Sequence, residues 1–157
     1  MKQVPHVHLS AKADYALRAV AELAAAPPGG LQAPELAARQ SLPRKYLEAT
    51  LRDLRRAGIV HSKLGLGGGF TLQRPADEIS VAEIIRATDG PLVTIRGRGP
   101  EDATYSGVSE PLQRVWIAAR RSLRDVLEAV TVADLVEGRL PPGVARLADD
   151  EASWVRR

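Results

Sequence analysis

Leu51-Arg52-Asp53-Leu54-Arg55-Arg56-Ala57-Gly58-Ile59-Val60-His61-Ser62-Lys63-Leu64-Gly65-Leu66-Gly67-Gly68-Gly69-Phe70-Thr71-Leu72 changes its period partway along. Up to Ala57 it belongs to a helix that Pro43 opens, whose apolar residues Leu47, Leu51 and Leu54 recur at i, i+4 and i+7 and make one buried seam. The remaining faces carry Arg44, Lys45, Glu48, Arg52, Arg55 and Arg56. Gly58 suits the left-handed position that ends such a helix. Beyond it, Ile59–Leu64 and Phe70–Arg74 read as two short strands around a flexible glycine tip, and Pro75 ends the second. A strand follows these glycines where a nucleotide fingerprint needs a helix, so the tip is not a phosphate loop.

Upstream, Ser10 is placed to cap a helix from about Ala11 to Ala26, with Ala16, Ala19, Val20, Leu23 and Ala24 as its apolar stripe. Pro27-Pro28-Gly29-Gly30 stops it. Leu31-Gln32 is long enough for a stub of strand, and Pro34 fits the first turn of a short helix ending at Gln40. Ser41-Leu42 turns the chain into the Pro43 helix.

Downstream, Ser80-Val81-Ala82-Glu83 has the form of a capping box ahead of a short helix, which Asp89-Gly90-Pro91 closes. Residues 91–109 show no period and read as a long loop or partly ordered segment. A helix from about Glu110 to Val130 follows, in which Leu112, Trp116 (or Val115), Ala119, Leu123, Val126 and Val130 form a seam of the coiled-coil kind. Thr131-Val132-Ala133-Asp134 opens a last short helix to Gly138, and beyond Pro141-Pro142-Gly143 a polar, frayed tail is expected.

Composition narrows the classes. The 157 residues contain no cysteine, which excludes disulfides, thiolate metal sites and thiol nucleophiles. No apolar run is long enough to span a membrane. The N-terminus lacks the apolar stretch of a secretory signal, so the cytoplasm is the expected compartment. Net charge is +3, unevenly divided: residues 1–75 hold eleven Lys and Arg against five Asp and Glu, residues 76–157 eleven against fourteen. A basic first half suits a polyanion partner. No enzyme is expected, since no paired acid–base groups or metal-ligand spacing occur. His6-x-His8 lacks a further ligand and reads as two imidazoles on a tail. No metal and no cofactor are expected.

Helix, stub, helix, helix, hairpin is the order of a winged helix-turn-helix. The expected fold is therefore mainly α with a small β-hairpin wing, followed by a long dimerisation helix. The parts fit DNA, because a recognition helix needs one apolar seam for docking and an outer face of donors for the major groove. Arg44 and Lys45 stand at its N-terminal end, where the backbone N–H groups also favour a phosphate. Taken singly, an arginine-rich helix is a solvated face and a glycine-rich hairpin is a plain turn; their order gives them weight.

The order also carries a resemblance. Leu9-Ser10-Ala11-Lys12-Ala13-Asp14-Tyr15-Ala16-Leu17, Tyr46-Leu47-Glu48, Leu51 to Val60, Gly65-x-Gly67-Gly68-Gly69-Phe70-x-Leu72, Ile79 to Ile84 and Thr131 to Leu135 resemble the Rrf-two family of regulators. That family includes iron–sulfur cluster, nitric-oxide-sensing and cysteine-metabolism repressors. The resemblance spans roughly Leu9 to Glu137. It implies a homodimer paired through the long helix, and repression at a pseudo-palindromic duplex. It also implies that the start of the Pro43 helix contacts DNA, with Glu48 tuning base preference.

The candidate DNA-contacting set is Ser10, Lys12, Arg44, Lys45, Tyr46, Glu48, Arg52, Lys63, Gly67 and Gly68. The implied domains are 1–90 for DNA binding, 91–109 as the loop that serves as sensor in relatives, 110–138 for dimerisation and 139–157 as a tail. Two departures stand out. Leu64 replaces the wing's usual arginine, and Lys63, one place earlier, faces the other way. Cluster-binding relatives carry three cysteines where residues 91–109 have none; Glu110 falls near the last cysteine's place and Gln113 near that of an additional ligand.

The leading expectation is a dimeric, cluster-free transcriptional regulator whose signal is a small molecule, a protein partner or its own abundance. Arg96 and Arg98 are candidates to receive an anionic effector. The alternative is a winged-helix protein-interaction module with weak or no DNA binding, favoured by Leu64 and Leu66 on the wing and opposed by the intact basic helix.

Overall fold

Ser10 caps the first helix: its hydroxyl accepts the Ala13 N–H at 3.0 Å and starts helix α1, Ala11–Ala24. The computed structural model describes residues 9–156, so the His6-x-His8 pair lies outside the described residues. Along α1, Ala13, Ala16, Ala19, Val20 and Leu23 are buried, the face that three- and four-residue spacing predicts. After the Pro-Gly turn, α2 (Ala33–Gln40) carries Pro34 in its first turn. It closes on Ser41 in the left-handed conformation, φ 51°, with the Leu42 N–H reaching back to the Ala37 carbonyl at 2.9 Å.

Helix α3, Arg44–Arg56, buries Leu47, Leu51 and Leu54 together with Thr50. The Thr50 hydroxyl donates to the Tyr46 carbonyl at 2.8 Å, so this polar group enters the core satisfied. At the far end Gly58 takes φ 72°, its N–H meets the Arg55 carbonyl at 3.1 Å, and the Ile59 N–H meets the Leu54 carbonyl at 2.9 Å. That is a Schellman stop, and buried Ile59 and Leu54 add its hydrophobic contact. Each buried leucine of this seam stabilises the fold by about 1.5–3 kcal/mol through lost apolar exposure.

The wing is an antiparallel pair, β1 (Val60–Lys63) and β2 (Gly69–Leu72), in register Val60 with Leu72 and Lys63 with Gly69. The expected stub at Leu31 bridges Phe70, with N–H to carbonyl bonds of 3.1 and 2.8 Å in the two directions. The glycine tip forms a hydrogen-bonded turn: the Gly68 N–H bonds the Gly65 carbonyl at 2.9 Å. Gly67 sits at φ 74°, and a Cβ on Gly68 would fall 2.2 Å from the Lys63 carbonyl oxygen.

Helix α4, Val81–Asp89, packs on α1. Ser80 caps it by accepting the Glu83 N–H at 3.2 Å, but only that half of the expected capping box is made. The Glu83 carboxylate accepts from Arg74 instead of turning back. Helix α5 spans Leu112–Leu127, shorter than the expected Glu110–Val130. Val130 therefore falls after the helix and is buried against Ala13, Val81 and Ile85 of the same chain, not on an exposed seam. The returning segment bonds to the entry of α4, Val81 N–H to Val130 carbonyl and Val132 N–H to Ile79 carbonyl, both 2.9 Å. Helix α6, Val132–Glu137, starts with a reciprocal capping box between Thr131 and Asp134 and ends at Gly138.

Two segments are more ordered than their sequence suggests. Residues 91–109 hold a tight turn at Ile95–Arg98 and 3₁₀ turns at Pro100–Asp102 and Gly107–Ser109. The expected frayed tail is helical: α7 spans Pro142–Asp149, and a 3₁₀ turn, Glu151–Trp154, folds back so that the Trp154 indole donates to the Ala148 carbonyl at 2.6 Å. No helix among the described residues is long and apolar enough to cross a membrane.

Candidate nucleic-acid interface

The apolar seam of α3 fixes which way its other residues point. With Leu47, Leu51 and Leu54 inward, Arg44, Lys45, Tyr46, Glu48 and Arg52 are all exposed. The first turn of α3 has no acidic residue and Pro43 offers no side-chain cap. Two cations at the positive end of a helix dipole break the usual preference for carboxylates there, a local conflict characteristic of functional sites.

The charges on this face are not equivalent. Arg44 Nε donates to Glu48 Oε1 at 3.1 Å, one turn along the helix. Lys45 and Arg52 form no ion pair among the described residues. Tyr46 is two-thirds exposed, an unusual place for an aromatic ring.

The other candidates divide into docking and exposed groups. Lys12 on α1 is bound to Asp53 on α3, so its ammonium fastens α3 to α1. That ion pair, with Arg56 Nη1 3.6 Å from the same carboxylate, holds the Asp53 carboxyl below the usual aspartate range. Ser10 donates both its N–H, at 3.0 Å, and its hydroxyl to the Asp89 carboxylate at the end of α4. Lys63 is exposed on β1; Gly67 lies at the exposed tip, while Gly68 is buried beneath it.

Several positioning residues escaped the sequence. Gln32 donates to the Gly68 carbonyl at 3.1 Å and pins the tip to the start of α2. Arg55 Nη1 donates to Ser62 Oγ at 3.1 Å, tying the end of α3 to the wing. Asp53 and Asp89 hold two of the candidate residues. Gln32, Asp53 and Asp89 carry no local signal, because their partners lie 36 to 79 positions along the chain, whereas Arg55 and Ser62 are only seven apart but on different elements.

The long helix stands apart from this face. None of its residues is fully buried. Trp116 turns inward and its indole donates to the Tyr105 hydroxyl at 2.9 Å, while Leu112, Val115 and Ile117 are exposed. Ala119 is exposed as well, and Leu123 and Val126 are half-buried.

An iron–sulfur centre, which the resemblance brings with it in many members, does not fit these residues. Such clusters are held by thiolates, and the chain has no cysteine. Gln113, near the expected extra ligand, uses its amide to donate to the Glu101 carbonyl at 2.9 Å. Among the described residues no three His, Cys, Asp or Glu side chains gather as a metal would require.

Comparison with known proteins agrees with the geometry. Residues 9–138 match the family described as Rrf2, iron-dependent transcriptional regulator. Rv1287 of Mycobacterium tuberculosis, named as an HTH-type transcriptional regulator, is 46% identical over 145 residues, covering 92% of this chain and 90% of its own. The HTH-type transcriptional regulator IscR of Cereibacter sphaeroides is 31% identical over 139 residues, 85% of this chain and 90% of its own. Among solved structures, CymR, the global cysteine regulator of B. subtilis, superposes with a TM-score of 0.68 at 30% identity, over 88% of this chain and 98% of its own. IscR of T. potens gives 0.66 at 29%, over 83% and 87%. These relatives and this fold are those of regulators and not of enzymes. With its helix, stub, helices and hairpin in that order, the chain belongs to the Rrf2 (Rrf-two) family of winged-helix transcriptional regulators.

Proposed function

We propose that the protein is a homodimeric, cytoplasmic repressor that binds a pseudo-palindromic duplex without an iron–sulfur cluster. The observation that carries DNA binding is the division of α3: three leucines are sealed in the core while Lys45 and Arg52 project outward with no ion pair among the described residues. Arg44, Tyr46 and Glu48 share that exposed face, and the wing flanks it with Lys63 and the backbone of Gly67, whereas Gly68 is buried with its N–H and carbonyl both bonded and shapes the tip from beneath. Ser10 and Lys12 act from α1 by holding Asp89 and Asp53.

Dimerisation through α5 is supported by its shape. A helix of 16 residues with no fully buried side chain and an exposed stripe through Leu112, Val115 and Ala119 is poorly explained as a lone surface helix. In the dimer Leu123 and Val126 continue that stripe, and Trp116 borders it. Repression and the symmetric operator come from the family resemblance.

Electrophoretic mobility shift with the duplex upstream of the protein's own gene tests the reading, run across a salt series. Specific binding that weakens as salt rises supports it. Binding no tighter than to unrelated duplex favours a protein-interaction module, for which the fully exposed Leu64 and Leu66 on the wing are the relevant observation.

A further inference from the structure

Arg86, Arg120 and Arg124 converge on one cleft of about 280 Å³, completed by Pro91 and Leu92. Arg86 comes from α4 and the other two from successive turns of α5, so the cleft lies on the seam between the winged domain and the long helix. Two carboxylates border it. Glu128 accepts from both Arg86 and Arg124, the latter through Nε at 3.0 Å, and Glu101 accepts from Arg120. Three permanent cations against two anions leave a positive excess, and arginine cannot shed its proton to relieve it. Each guanidinium has five donors, so the bonds to Glu128 and Glu101 orient all three groups without exhausting them. Both arginine neighbours hold the Glu128 carboxyl below the usual glutamate range, so it is ionised and competes for the same donors that a bound anion would use. Leu92 and Pro91 give the cleft an apolar side suited to a carbon skeleton.

We propose that this cleft binds a small organic anion with at least two negative charges, and that the anion, by displacing Glu128 from Arg86, alters how α4 meets α5. Arg86–Glu128 is an ion pair between α4 and the end of α5, and replacing its carboxylate with a diffusible one changes that join. Binding in the cleft is independent of the DNA-binding reading; its regulatory consequence rests on it.

The test uses the full-length protein without DNA, titrated at low salt with citrate and separately with pyrophosphate. Calorimetry is paired with Trp116 fluorescence in a Trp154→Phe background. One site per chain is expected, with binding in the millimolar range or tighter. The preferred probe assigns carboxylate or phosphate chemistry. Arg120→Gln and Arg124→Gln should each weaken binding roughly tenfold, the loss of one charge-assisted pair. Glu128→Gln should tighten it, which a merely structural arginine cluster would not do. Absence of saturable binding, or binding lost in Lys45→Ala but retained in Arg124→Gln, overturns the site. Operator affinity that is unchanged at saturating anion overturns the regulatory half. If no duplex is bound under any condition, the DNA reading fails while the titration still judges the cleft.

Discussion

Arg44 and Glu48 share a hydrogen bond of 3.1 Å across one turn of α3, so the cation nearest the helix start is held by a carboxylate on the same face. Both side chains are more than half exposed, and such a pair stabilises a helix by only about 0.3–0.5 kcal/mol. The bond is weak enough to exchange for a phosphate or a base. Glu48→Gln removes the carboxylate that competes for Arg44 and repels the duplex. Affinity for unrelated DNA should rise while the ratio of specific to non-specific affinity falls, measured by fluorescence anisotropy on both duplexes. A ratio that stays constant would remove Glu48 from sequence selection.

Arg44→Ala should cost roughly 1–3 kcal/mol of operator affinity and relax preference at one base position if Arg44 reads a base. Lys45→Ala should weaken all duplexes similarly and reduce the salt slope by about one if Lys45 meets a phosphate. Mobility shifts at several salt concentrations distinguish the two roles. Wild-type binding in both variants would move the interface off α3.

Lys12 and Asp53 make stability depend on pH in a definite direction. The Asp53 carboxyl is held low chiefly by its hydrogen bond from Lys12. A carboxyl lowered in the folded state stabilises above its ordinary value of about 3.9, and that contribution is lost as pH falls through the lowered value. Asp53→Asn should therefore be less stable than wild type at neutral pH, by less than about 1 kcal/mol because Lys12 is 40% exposed. The gap in urea midpoint should close on acidification toward pH 3. A gap that widens in acid contradicts the assignment.

Gly67 and Gly68 separate two kinds of glycine requirement. Gly67→Ala meets nothing within 4 Å but must hold φ 74°, a cost of about 1–2 kcal/mol. Gly68→Ala drives a methyl into the Lys63 carbonyl, which the backbone must move to accept. Thermal melts should rank Gly68→Ala below Gly67→Ala, and only the former should displace the amide resonances of Gln32. Equal melting temperatures would mean the turn rebuilds freely.

Val115 and Trp116 are neighbours with opposite expected behaviour. Val115 is half exposed on α5, so Val115→Asp should leave the chain folded and divide the dimer, read by sedimentation at micromolar concentration. Trp116→Ala removes the bond to Tyr105 and loosens residues 91–109 from the helix, destabilising the fold of each chain first. A dimer undisturbed by Val115→Asp places the interface elsewhere.

Much of this architecture is written locally. The Leu47, Leu51, Leu54 spacing, Gly58 as a helix stop, Ser10 as a cap and the hairpin register all depend on residues close in the chain. The wing's glycines were legible as a tip but not as a defined turn, since Gln32 pins it from 36 positions away. Residues 91–109 lack a period because their order comes from α5, through Gln113 to the Glu101 carbonyl, Arg120 to its carboxylate and Trp116 to Tyr105. Glu83 completes an apparent capping box in sequence, yet Arg74 across the fold takes its carboxylate. On the surface proposed to face DNA the residue types were readable. Which of them are tied, as Lys12 and Ser10 are, was not.

The long helix is bonded to residues 91–109 near its start, and beyond its finish the Val130–Val132 segment is bonded to the entry of α4. In the proposed dimer built on α5, rotation of a winged domain about that spine would strain these bonds and the Arg86–Glu128 pair. Torsional tolerance toward the operator should be correspondingly small. One base pair inserted between half-sites turns one of them by about 35° about the duplex axis, and that rotation would have to be shared between strain at this join and twisting of the DNA itself.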